Sequence, residues 1–589
     1  MGNCSTLSIR WSHILNNETL IVIGARLNSN RLPKKHLLPL AGKPLIVRLV
    51  ERLRQIKTPC KIIVATTSDQ YNDMLEEACL KADISCVRFN GDVNNLVLRI
   101  DCAVQASTAN IIAYICGDCP LVEPELIDKL MSVLMKEPQK KFTALARKDK
   151  SIHEGIAVYS RAGWNALVTH CQDDQDLEHV GLSLKRYRNI EHDTVYIDEE
   201  NIYFDSNHRI SVDTVADYQF MEQLYERWYS HNADNSIVSL TWVIELIKRY
   251  PEIANANKNV LQKKAHEQYQ NILMVCEAGT DKGLGQLKRT IRLAKEMQEQ
   301  YGYGTELLIL ADAIKTTDLT FFNHQIFHSE KQLLSVLSAY KNRIIIFDIF
   351  PSRLKMSDLW REQLAHTKSV NQFQIGIDRC TEWHDLFNHI WVPSFYCNVQ
   401  APNITYGWDY YLIDKIKTDT KKNHVLILTG GSDNLSYGNW LADWLDEHLP
   451  DNMKPTWLQG PYAPLPKLKS NPRLSWNISK DPNNLSYYLA QAEYVITVHG
   501  LSLFEAIACN KKCIVLPSVP LITSAEFLAF KQTNTALCIE NFETDMQMIS
   551  NLTHQHTLQG ISSMKVQSRL TNGLKNVCRE IHSLISVTF

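Results

Sequence analysis

The sequence lacks any run of apolar residues long enough to cross a membrane. Its core-strand segment at residues 344–349, which Asp348 interrupts, is far shorter than the roughly 20 residues that a membrane-spanning helix needs. An excess of one charge is also missing, since 62 Lys and Arg stand against 64 Asp and Glu and the formal net charge is −2. A general nucleic-acid binder would be strongly basic. We therefore expect neither membrane association nor a nucleic-acid partner, and local clusters of charge should bind small anions.

Cysteine pairs with the spacing of a disulfide framework or a zinc finger are lacking as well. The 15 cysteines are scattered, and the Cys-x-x-Cys formed by Cys116 and Cys119 has no second pair at zinc-finger distance. This pattern predicts a reduced, cytoplasmic chain with buried thiols. Residues 1–19 lack the apolar segment of a secretory signal. Residues 1–4, Met-Gly-Asn-Cys, fit the myristoylation pattern, which is too short to predict lipidation.

The spacing of apolar segments divides the chain into several α/β regions. With 589 residues the chain is too long for one hydrophobic core, so two to four domains are expected. Strands alternate with helices between residues 20 and 135, which predicts a doubly wound parallel sheet, and the alternation restarts near residue 271. The predicted regions are a tail at 1–19, a doubly wound domain at 20–225, a helical linker at 226–270, and two lobes at 271–410 and 411–589.

A basic loop follows the first strong strand, at residues 21–24. Four cations follow this strand in the loop: Arg26, Arg31, Lys34 and Lys35. Ligands of doubly wound sheets bind at the carboxyl ends of strands, and backbone N–H groups together with cations suit a polyphosphate. The loop therefore predicts a binding site for the triphosphate of a nucleotide. The alternative is a solvated basic surface loop.

Two acidic segments predict a metal site beside this loop. An apolar strand ends at Gly117 and Asp118, and Mg²⁺ takes one or two carboxylates together with phosphate oxygens. Asp213 lies in a second candidate segment. The alternatives are structural: Asp118 would cap the helix after Pro120, and Asp213 would be a helix N-cap with Asp217 as a first-turn acid.

Three segments carry a resemblance to a known family. Ala-Arg-x-x-Ser-x-Arg-Leu-Pro-x-Lys followed by Leu-Ala-Gly-Lys-Pro-Leu, then Gly-Asp-x-Pro-Leu, then Arg-x-x-Val-Asp-Thr-x-x-Asp resemble the cytidylyltransferases. These include the enzymes that make CMP-sialic acid and CMP-KDO and a spore-coat polysaccharide branch. The resemblance implies that the basic loop holds the triphosphate of CTP beside Mg²⁺. The implied nucleotide-binding residues are Ala25, Arg26, Ser29, Arg31, Lys34 and Gly117. The implied metal ligands are Asp118 and Asp213, and the implied catalytic residues are Arg26, Arg31, Lys34 and Asp118.

The acceptor side carries a less specific signal. Segments around Glu154 and around Glu178 and His179 correspond to the family's sugar side, which implies contacts to the acceptor or across a homodimer. A plain surface helix pair is the alternative. The implied reaction is attack of an acceptor oxygen on the α-phosphorus of CTP, with departure of pyrophosphate. A sugar-acid hydroxyl would give a CMP-sugar and a phosphate monoester a CDP-product, and the sequence leaves both open.

The second half of the chain carries two strand–glycine–helix turns. The first contains Gly431 and Ser432, and the second contains Gly500, Ser502 and Glu505. A helix N-terminus with a hydroxyl suits a phosphate, and a carboxylate one turn further suits ribose hydroxyls. Such turns occur in every α/β fold, so each alone is weak evidence. Together they resemble the nucleotide-sugar lobe of a GT-B fold.

Residues 270–589 also resemble the UDP-sugar hydrolase of pseudaminic acid synthesis. That family has Gly-x-Gly-His-x-x-Arg where this chain has Gly283 to Arg289, with Gln286 after Gly285 in place of the histidine. Glutamine has no basic lone pair near neutral pH and cannot act as a general base. The departure implies a domain that binds a nucleotide sugar without the hydrolase chemistry. We expect three further residues to line its cleft: Asp281, Lys282 and Asp348.

These features together favour a cytidylyltransferase that activates a sugar acid or a phosphorylated small alcohol for surface-glycan synthesis. Its expected partners are CTP, Mg²⁺, a small-molecule acceptor and, in the C-terminal half, a nucleotide sugar. The resemblance alone implies a homodimer. One alternative is a glycosyltransferase whose C-terminal half carries the main activity. The other is a non-enzymatic sensor that binds nucleotides without turnover.

Overall fold

The chain folds into two compact units, Met1–Tyr269 and Gln270–Phe589. The computed structural model describes residues 19–588 except 207, 259, 262–270, 315–317, 342, 372, 481–484, 519–520, 543–544, 546–548 and 550–563. The Met-Gly-Asn-Cys start and the end of the predicted linker lie outside the described residues. The finer domain boundaries stay predictions.

The N-terminal unit is a mixed α/β structure. Its strands are β1 Thr19–Gly24, β2 Pro39–Leu40, β3 Lys43–Pro44, β4 Cys60–Thr67, β5 Ser85–Phe89, β6 Ile111–Cys116, β7 Phe142–Leu145, β8 Ile156–Ser160 and β9 Thr194–Ile197. Its α-helices are α1 Leu45–Leu53, α2 Asp73–Lys81, α3 Leu96–Gln105, α4 Pro124–Lys136, α5 Arg161–Thr169, α6 Asp174–Glu178, α7 Val215–Tyr229, α8 Leu240–Arg249 and α9 Pro251–Ala254.

Strand β1 lies at the centre of a seven-stranded sheet of order β5-β4-β1-β6-β8-β7-β9. It pairs in parallel with β4 and β6. Ile21 and Ile23 pack into one apolar cluster, and Leu20 and Val22 pack into another. An apolar run buried on both faces is typical of a central strand with helices on both sides. The doubly wound prediction is therefore confirmed, although β6 and β8 are antiparallel, so the far edge of the sheet is mixed.

The C-terminal unit has two α/β lobes. The strands of the first are β10 Asn271–Ala278, β11 Gly304–Ala311, β12 Asn323–Phe327, β13 Ile344–Asp348, β14 Phe373–Ile377, β15 His389–Val392 and β16 Ile404–Tyr406. Those of the second are β17 His424–Leu428, β18 Lys454–Leu458, β19 Asn477–Ser479, β20 Tyr494–Thr497, β21 Lys512–Val515 and β22 Leu537–Cys538. The α-helices are α10 Gly285–Tyr301, α11 Glu330–Leu337, α12 Ser357–Val370, α13 Leu441–His448, α14 Leu485–Gln491, α15 Leu501–Ala508, α16 Ser524–Gln532 and α17 Met564–Thr588.

Both lobes are built on parallel sheets, as the sequence predicts. The first has the order β12-β11-β10-β13-β14-β15-β16 and the second the order β19-β18-β17-β20-β21-β22. Every pair of neighbouring strands in the two sheets is parallel. Parallel strands bring their carboxyl ends to one edge, where ligands bind. The described residues thus form the two-lobed arrangement of a GT-B-like unit.

The last helix, α17, contacts both of these lobes. Leu570, near its start, packs into the apolar cluster of the second lobe. Towards its end, Glu580 accepts a hydrogen bond from Nε1 of Trp391 at 2.9 Å, and Nδ1 of His582 lies 2.9 Å from the hydroxyl of Tyr303. Trp391 and Tyr303 belong to the first lobe. The helix therefore ties the two lobes together.

The cysteines within the described residues are free thiols, in line with the predicted reduced state. Several are fully enclosed, among them Cys276 and Cys513. The helices of the described segments include none that is both long and apolar enough to span a membrane.

The close fit of α17 gives a stability prediction. A Cβ atom on Gly573 would lie 2.6 Å from the backbone N of Tyr411. We expect Gly573→Ala to lower the free energy of unfolding of the C-terminal unit by about 1–3 kcal/mol, because backbone atoms cannot yield easily. Urea unfolding followed by the fluorine NMR signal of fluorotryptophan at Trp391 measures the change.

Gly285→Ala is the matched control, since a Cβ there meets nothing within 4 Å. It should leave the unfolding free energy unchanged or raise it by less than about 1 kcal/mol. Equal effects of the two substitutions would contradict the proposed packing of α17.

Candidate functional site

The basic loop after β1 is held by backbone and amide hydrogen bonds. Asn72 is fully buried; its Oδ1 accepts from the N–H of Leu27 at 2.8 Å, and its Nδ2 donates to Oδ1 of Asn28 at 2.9 Å. Within the loop, Oγ of Ser29 accepts from the N–H of Leu32 at 3.3 Å. The loop is thus positioned before any ligand binds. Asn72 was missed from the sequence because it lies 45 residues from Leu27.

Gly117 allows the end of β6 to approach the end of β1. Its N–H donates to the carbonyl of Gly24 at 3.0 Å. A Cβ atom at Gly117 would lie 2.6 Å from that carbonyl oxygen and 2.9 Å from Nε2 of His36. Only glycine fits, and the close approach brings Asp118 beside the basic loop.

The ammonium of Lys35 lies between the two predicted metal ligands. Its Nζ is 2.6 Å from Oδ2 of Asp118 and 2.7 Å from Oδ1 of Asp213. Asp213 also pairs with Arg31, at 3.1 Å, and with Arg209. The two carboxylates come from distant parts of the sequence and converge on one cationic group.

These contacts change the charge behaviour of the buried groups. Burial acts to lower the pKa of Lys35, but the charges of Asp118 and Asp213 outweigh it and raise the pKa above its usual value. Burial acts in the opposite sense on Asp213, where Lys35, Arg31 and Arg209 hold the pKa well below its usual value. Both groups are therefore charged near neutral pH.

The structural alternatives for the two carboxylates are wrong. Helix α4 begins at Pro124, with Glu123 at its N-cap, so Asp118 does not cap it. The N-cap of α7 is Thr214 rather than Asp213, and Asp217 completes a capping box with Thr214. Asp217 therefore orders the turn, as predicted, and leaves Asp213 to face Lys35.

Lys35, and not the predicted Lys34, is the lysine that reaches the carboxylates. Nζ of Lys34 lies 5.8 Å from the ring centroid of Tyr71, whereas Lys35 reaches the carboxylates. The motif Arg-Leu-Pro-x-Lys runs from Arg31 to Lys35. The lysine that the motif implies is therefore Lys35, and its assignment to Lys34 was wrong. Ala25 is buried beside Gly117.

Arg26 extends away from the carboxylates. Its Nη1 donates to Oδ1 of Asn94 at 2.8 Å and to the carbonyl of Val93. Burial lowers the pKa of Arg26, and the charges of Glu178 and Asp92 act against that shift. The structure therefore brings Glu178, at the end of α6, into the electrostatic neighbourhood of Arg26.

Of the other acceptor-side candidates, Glu154 lies against the segment that carries Asp213. Its Oε2 accepts from the N–H of Ser211 at 3.1 Å. Burial raises the pKa of Glu154, which the charge of Arg209 partly offsets. His179 follows α6 as its C-cap, with its N–H donating to the carbonyl of Gln175 at 3.1 Å.

Two buried polar residues near the loop were not found from the sequence. His36 and Arg99 are only 3% and 4% exposed. Both ring nitrogens of His36, and Nε and Nη1 of Arg99, have no hydrogen-bond partner among the described residues. Buried polar groups are normally paired, so these atoms are suited to a ligand. Neither residue stands out in the sequence, since His36 lies just beyond the basic motif and Arg99 lies within helix α3.

In the C-terminal unit a cavity of about 250 Å³ opens between the ends of the two sheets. The predicted ligand residues that line it are Gly285, Gly431, Ser432, Gly500, Ser502 and Glu505. Helices α10 and α15 both begin at this cavity, and their N-caps, Leu284 and Gly500, make no side-chain capping bond in the described structure. Two helix N-termini thus present N–H groups to the same space.

His499 is a cavity residue that sequence reasoning did not single out. It is 9% exposed, and its ring packs edge-on against Phe504 and Phe530. Its backbone N–H donates to Oγ of Ser518 at 2.8 Å, while Nε2 has no partner among the described residues. Burial lowers the pKa of His499 to about 4, so the ring is neutral near pH 7.

Some cleft predictions need correction or refinement. Lys282 lines the cavity, but Asp348 is 2% exposed and pairs with Arg289 at 2.5 and 2.6 Å, so it was wrongly assigned to the lining. Gln286 turns its Nε2 to the carbonyl of Asp348 at 3.1 Å. Asp281 is exposed.

Two of the cavity residues make contacts across the lobes. The carboxylate of Glu505 pairs with Arg292 of the first lobe, and Ser432 donates from Oγ to the carbonyl of Thr280.

Comparison with known proteins agrees with the N-terminal site. The family model for cytidylyltransferases matches residues 20–266. The spore coat polysaccharide biosynthesis protein SpsF of Bacillus subtilis (strain 168) is 26% identical over 242 residues, covering 40% of this chain and 97% of that protein. The 3-deoxy-manno-octulosonate cytidylyltransferase of Polynucleobacter asymbioticus is 33% identical over 125 residues, 21% of this chain and 47% of that enzyme. The chain thus spans about half the length of the latter enzyme.

Among solved structures, the MurG protein of Acinetobacter baumannii is 12% identical over 53% of this chain and 99% of that chain, with a TM-score of 0.36. The family match covers nearly all of the described N-terminal unit. This unit is therefore similar to nucleotidyltransferases of the cytidylyltransferase type.

The buried histidine of the N-terminal site gives a prediction for pH. Burial, with the charges of Lys35 and Arg99, lowers the pKa of His36 to about 3 from an ordinary value of 6.5. Below pH 6.5 the unfolded chain therefore binds a proton that the folded chain does not, and stability falls as the pH falls. When the pH is lowered from 7 to 4, His36 should lower the free energy of unfolding by about 3 kcal/mol.

His36→Leu should remove that part of the pH dependence. Urea unfolding at both pH values, read from fluorotryptophan at the buried Trp164, measures it. His231→Leu, at an exposed position, should leave the dependence as in the parent chain. An unchanged pH dependence in His36→Leu would contradict the assignment of His36 as a neutral buried group.

Proposed function

We propose that the N-terminal unit transfers the cytidylyl group of CTP to a sugar acid for surface-glycan synthesis and releases pyrophosphate. The observation that carries the proposal is the convergence of Asp118, Asp213 and Lys35 at the carboxyl ends of β1 and β6. Opposite charges at a strand end, beside a loop with further cations, suit a polyphosphate and the ion that accompanies it. The named activity of the 3-deoxy-manno-octulosonate relative supports a sugar acid as acceptor.

The residues at this convergence fit Mg²⁺. Asp118 and Asp213 direct carboxylate oxygens to the ammonium of Lys35, so Mg²⁺ bound by them would take the place of that ammonium and leave it to the phosphates. The described residues hold no cluster of three or more acidic, histidine or cysteine side chains that would bind a metal alone. Mg²⁺ commonly uses one or two carboxylates and completes its shell with substrate phosphates and water. When bound, it would neutralise charge on the phosphates.

The cations of the chain supply the rest of the charge stabilisation. Arg31 and Lys35 lie next to the carboxylates, where they can bind the phosphates of CTP and the departing pyrophosphate. Arg99 and His36 offer buried nitrogen atoms without partners in the described structure. We assign these two residues to the recognition of the nucleotide, with His36 neutral. Glu154, beside the Asp213 segment, is assigned to positioning the acceptor oxygen.

For the C-terminal unit we propose binding of a nucleoside diphosphate sugar in the cavity between the lobes, without hydrolysis. The start of two helices at one cavity, together with the unpaired Nε2 of His499, supports a diphosphate. Gln286 stands where the resembled hydrolase has its catalytic histidine, and its amide is engaged with the carbonyl of Asp348. A nucleotide sugar bound there would lack a general base from this position.

The first test measures pyrophosphate release from CTP with Mg²⁺. We expect release with one member of a panel of eight- and nine-carbon sugar acids, phosphorylated polyols and amino alcohols. Asp118→Asn should reduce the rate by about 100-fold or more, because a preorganised charge is lost. Asp83→Asn, at an exposed left-handed position that asparagine tolerates, should retain the rate.

The two neighbouring lysines refine this test. Lys35→Ala should lose at least about tenfold in rate, whereas Lys34→Ala should stay within about twofold. Pyrophosphate release with a phosphorylated alcohol and with no sugar acid would make that alcohol the acceptor and the product CDP-linked. CTP binding without release for any acceptor would reject the proposal in favour of a nucleotide sensor.

The second test measures binding of UDP to the C-terminal cavity by isothermal titration calorimetry. His499→Phe keeps the packing against Phe504 and Phe530 but removes the ring nitrogens. We expect UDP binding to weaken by about tenfold, the loss of one hydrogen bond to a charged group. His366→Ala, at an exposed position, should bind UDP as the parent chain does.

An intact UDP-sugar after incubation with the parent chain would agree with the absence of hydrolysis. Transfer of the sugar to an acceptor would instead support the alternative of a glycosyltransferase in the C-terminal half. Equal affinity of His499→Phe and the parent chain for UDP would show that His499 does not bind the diphosphate.

A further inference from the structure

The Cys-x-x-Cys motif lies in the turn that carries Asp118. The N–H of Cys119 donates to the carbonyl of Cys116 at 3.2 Å. This hydrogen bond between the first and fourth residues defines a β-turn, in which the two Cα atoms are closer than about 7 Å. Disulfides span Cα separations of about 4.4–6.8 Å. The backbone therefore already holds the two cysteines at a distance that a disulfide can bridge.

The two side chains also lie close to each other. A Cβ atom added to Gly155 would lie 2.9 Å from the Cβ of each cysteine, so both cysteines pack beneath one backbone position. Gly155 has a φ of +71° and provides the room that the pair occupies.

The surroundings of the pair connect it to the metal-binding carboxylate. Sγ of Cys119 donates to Oδ1 of Asp118 at 3.5 Å, and Sγ of Cys116 lies 3.2 Å from the hydroxyl of Tyr114. Cys119 is 3% exposed, whereas Cys116 is partly exposed. A small oxidant therefore reaches Cys116 first, with Cys119 placed to react next.

We propose that Cys116 and Cys119 form a redox modification site, at which a low-molecular-weight disulfide converts them to an intramolecular disulfide that slows cytidylyl transfer. The effect on transfer rests on the proposed function of the N-terminal unit, whereas the disulfide itself does not.

The chemistry proceeds by thiol–disulfide exchange. The sulfur of Cys116 attacks one sulfur of the small disulfide; a mixed disulfide forms, and the first small thiol leaves with the proton of Cys116. The sulfur of Cys119 then attacks Sγ of Cys116, and the second small thiol leaves with the proton of Cys119. The protein dithiol loses two electrons and two protons, and the small disulfide gains them as two thiols.

Oxidation changes the surroundings of Asp118 in two ways. The S–H donor that Cys119 directs to Oδ1 of Asp118 is lost, and Sγ of Cys119 is drawn towards Cys116. The turn of residues 116–119 becomes a closed ring with Asp118 inside it. Because Asp118 also contacts Lys35 at 2.6 Å, a small displacement of its carboxylate alters the site on which the transfer depends.

The experiment equilibrates the full chain in buffers of oxidised and reduced glutathione, traps the remaining thiols by alkylation, and maps the products by mass spectrometry. We expect a peptide containing residues 116–119 that has lost two hydrogen atoms and carries no alkyl group. Pyrophosphate release from CTP and the active acceptor should fall by about tenfold or more in the same samples and return with dithiothreitol.

Cys116→Ser and Cys119→Ser, each compared with its own fully reduced rate, should resist this loss. The double variant Cys79→Ser, Cys86→Ser is the matched control, because it removes two other free thiols of the same unit that pack in one apolar cluster. It should still be inhibited by oxidised glutathione.

Alkylation of both Cys116 and Cys119 under oxidising conditions would overturn the proposed modification site. A mapped disulfide with an unchanged rate would overturn its effect on transfer. Failure of the reduced chain to release pyrophosphate would contradict the proposed function and the inhibition together, and the mass measurement would still decide whether the disulfide forms.

Discussion

The ammonium of Lys35 holds together three parts of the N-terminal unit that are far apart in the sequence: the basic loop after β1, the end of β6 at Asp118, and the segment before α7 at Asp213. Two half-buried carboxylates close to each other would repel if they shared no cation. Replacing one partner of such a cluster leaves an uncompensated charge, which costs more than the pair contributes. The geometry of the loop, the position of β6 and the start of α7 therefore depend on one another through this contact.

This dependence explains how much of the site can be predicted from sequence. Asp118 and Asp213 are predictable because each follows a recognisable pattern, a strand that ends in Gly-Asp and a segment that precedes a helix. The choice between Lys34 and Lys35 is harder, since both follow Pro33 in a basic loop; the motif spacing favours Lys35, and the backbone shows why that side chain turns inwards. In the structure Lys34 takes the left-handed conformation, with φ of +54°, and Lys35 enters the site.

His36 and Arg99 show a different limit of sequence reasoning. Arg99 lies in an ordinary helix, and His36 follows the basic loop without belonging to its motif, so the sequence assigns neither residue to a ligand. Their importance appears only when hydrogen-bond partners are counted across the fold, because an unpaired buried nitrogen is a long-range property. The order of strands shows the same limit. The alternation of elements predicts a doubly wound sheet, but β8 pairs antiparallel with β6 after β7 and a connection without a helix, where that alternation has ended.

The sequence predicts the two lobes of the C-terminal unit. It does not predict helix α17, which connects them. Helix α17 has 25 residues, which corresponds to a rod of about 37 Å at the usual helical rise. One part of this rod packs against the second lobe and another part bonds to Trp391 and Tyr303 of the first. Opening the cavity between the lobes would require this helix to bend or to release one of its two sets of contacts. The width of the cavity is therefore set before a ligand arrives, and a ligand that fits it binds to a preorganised site with a small loss of conformational entropy.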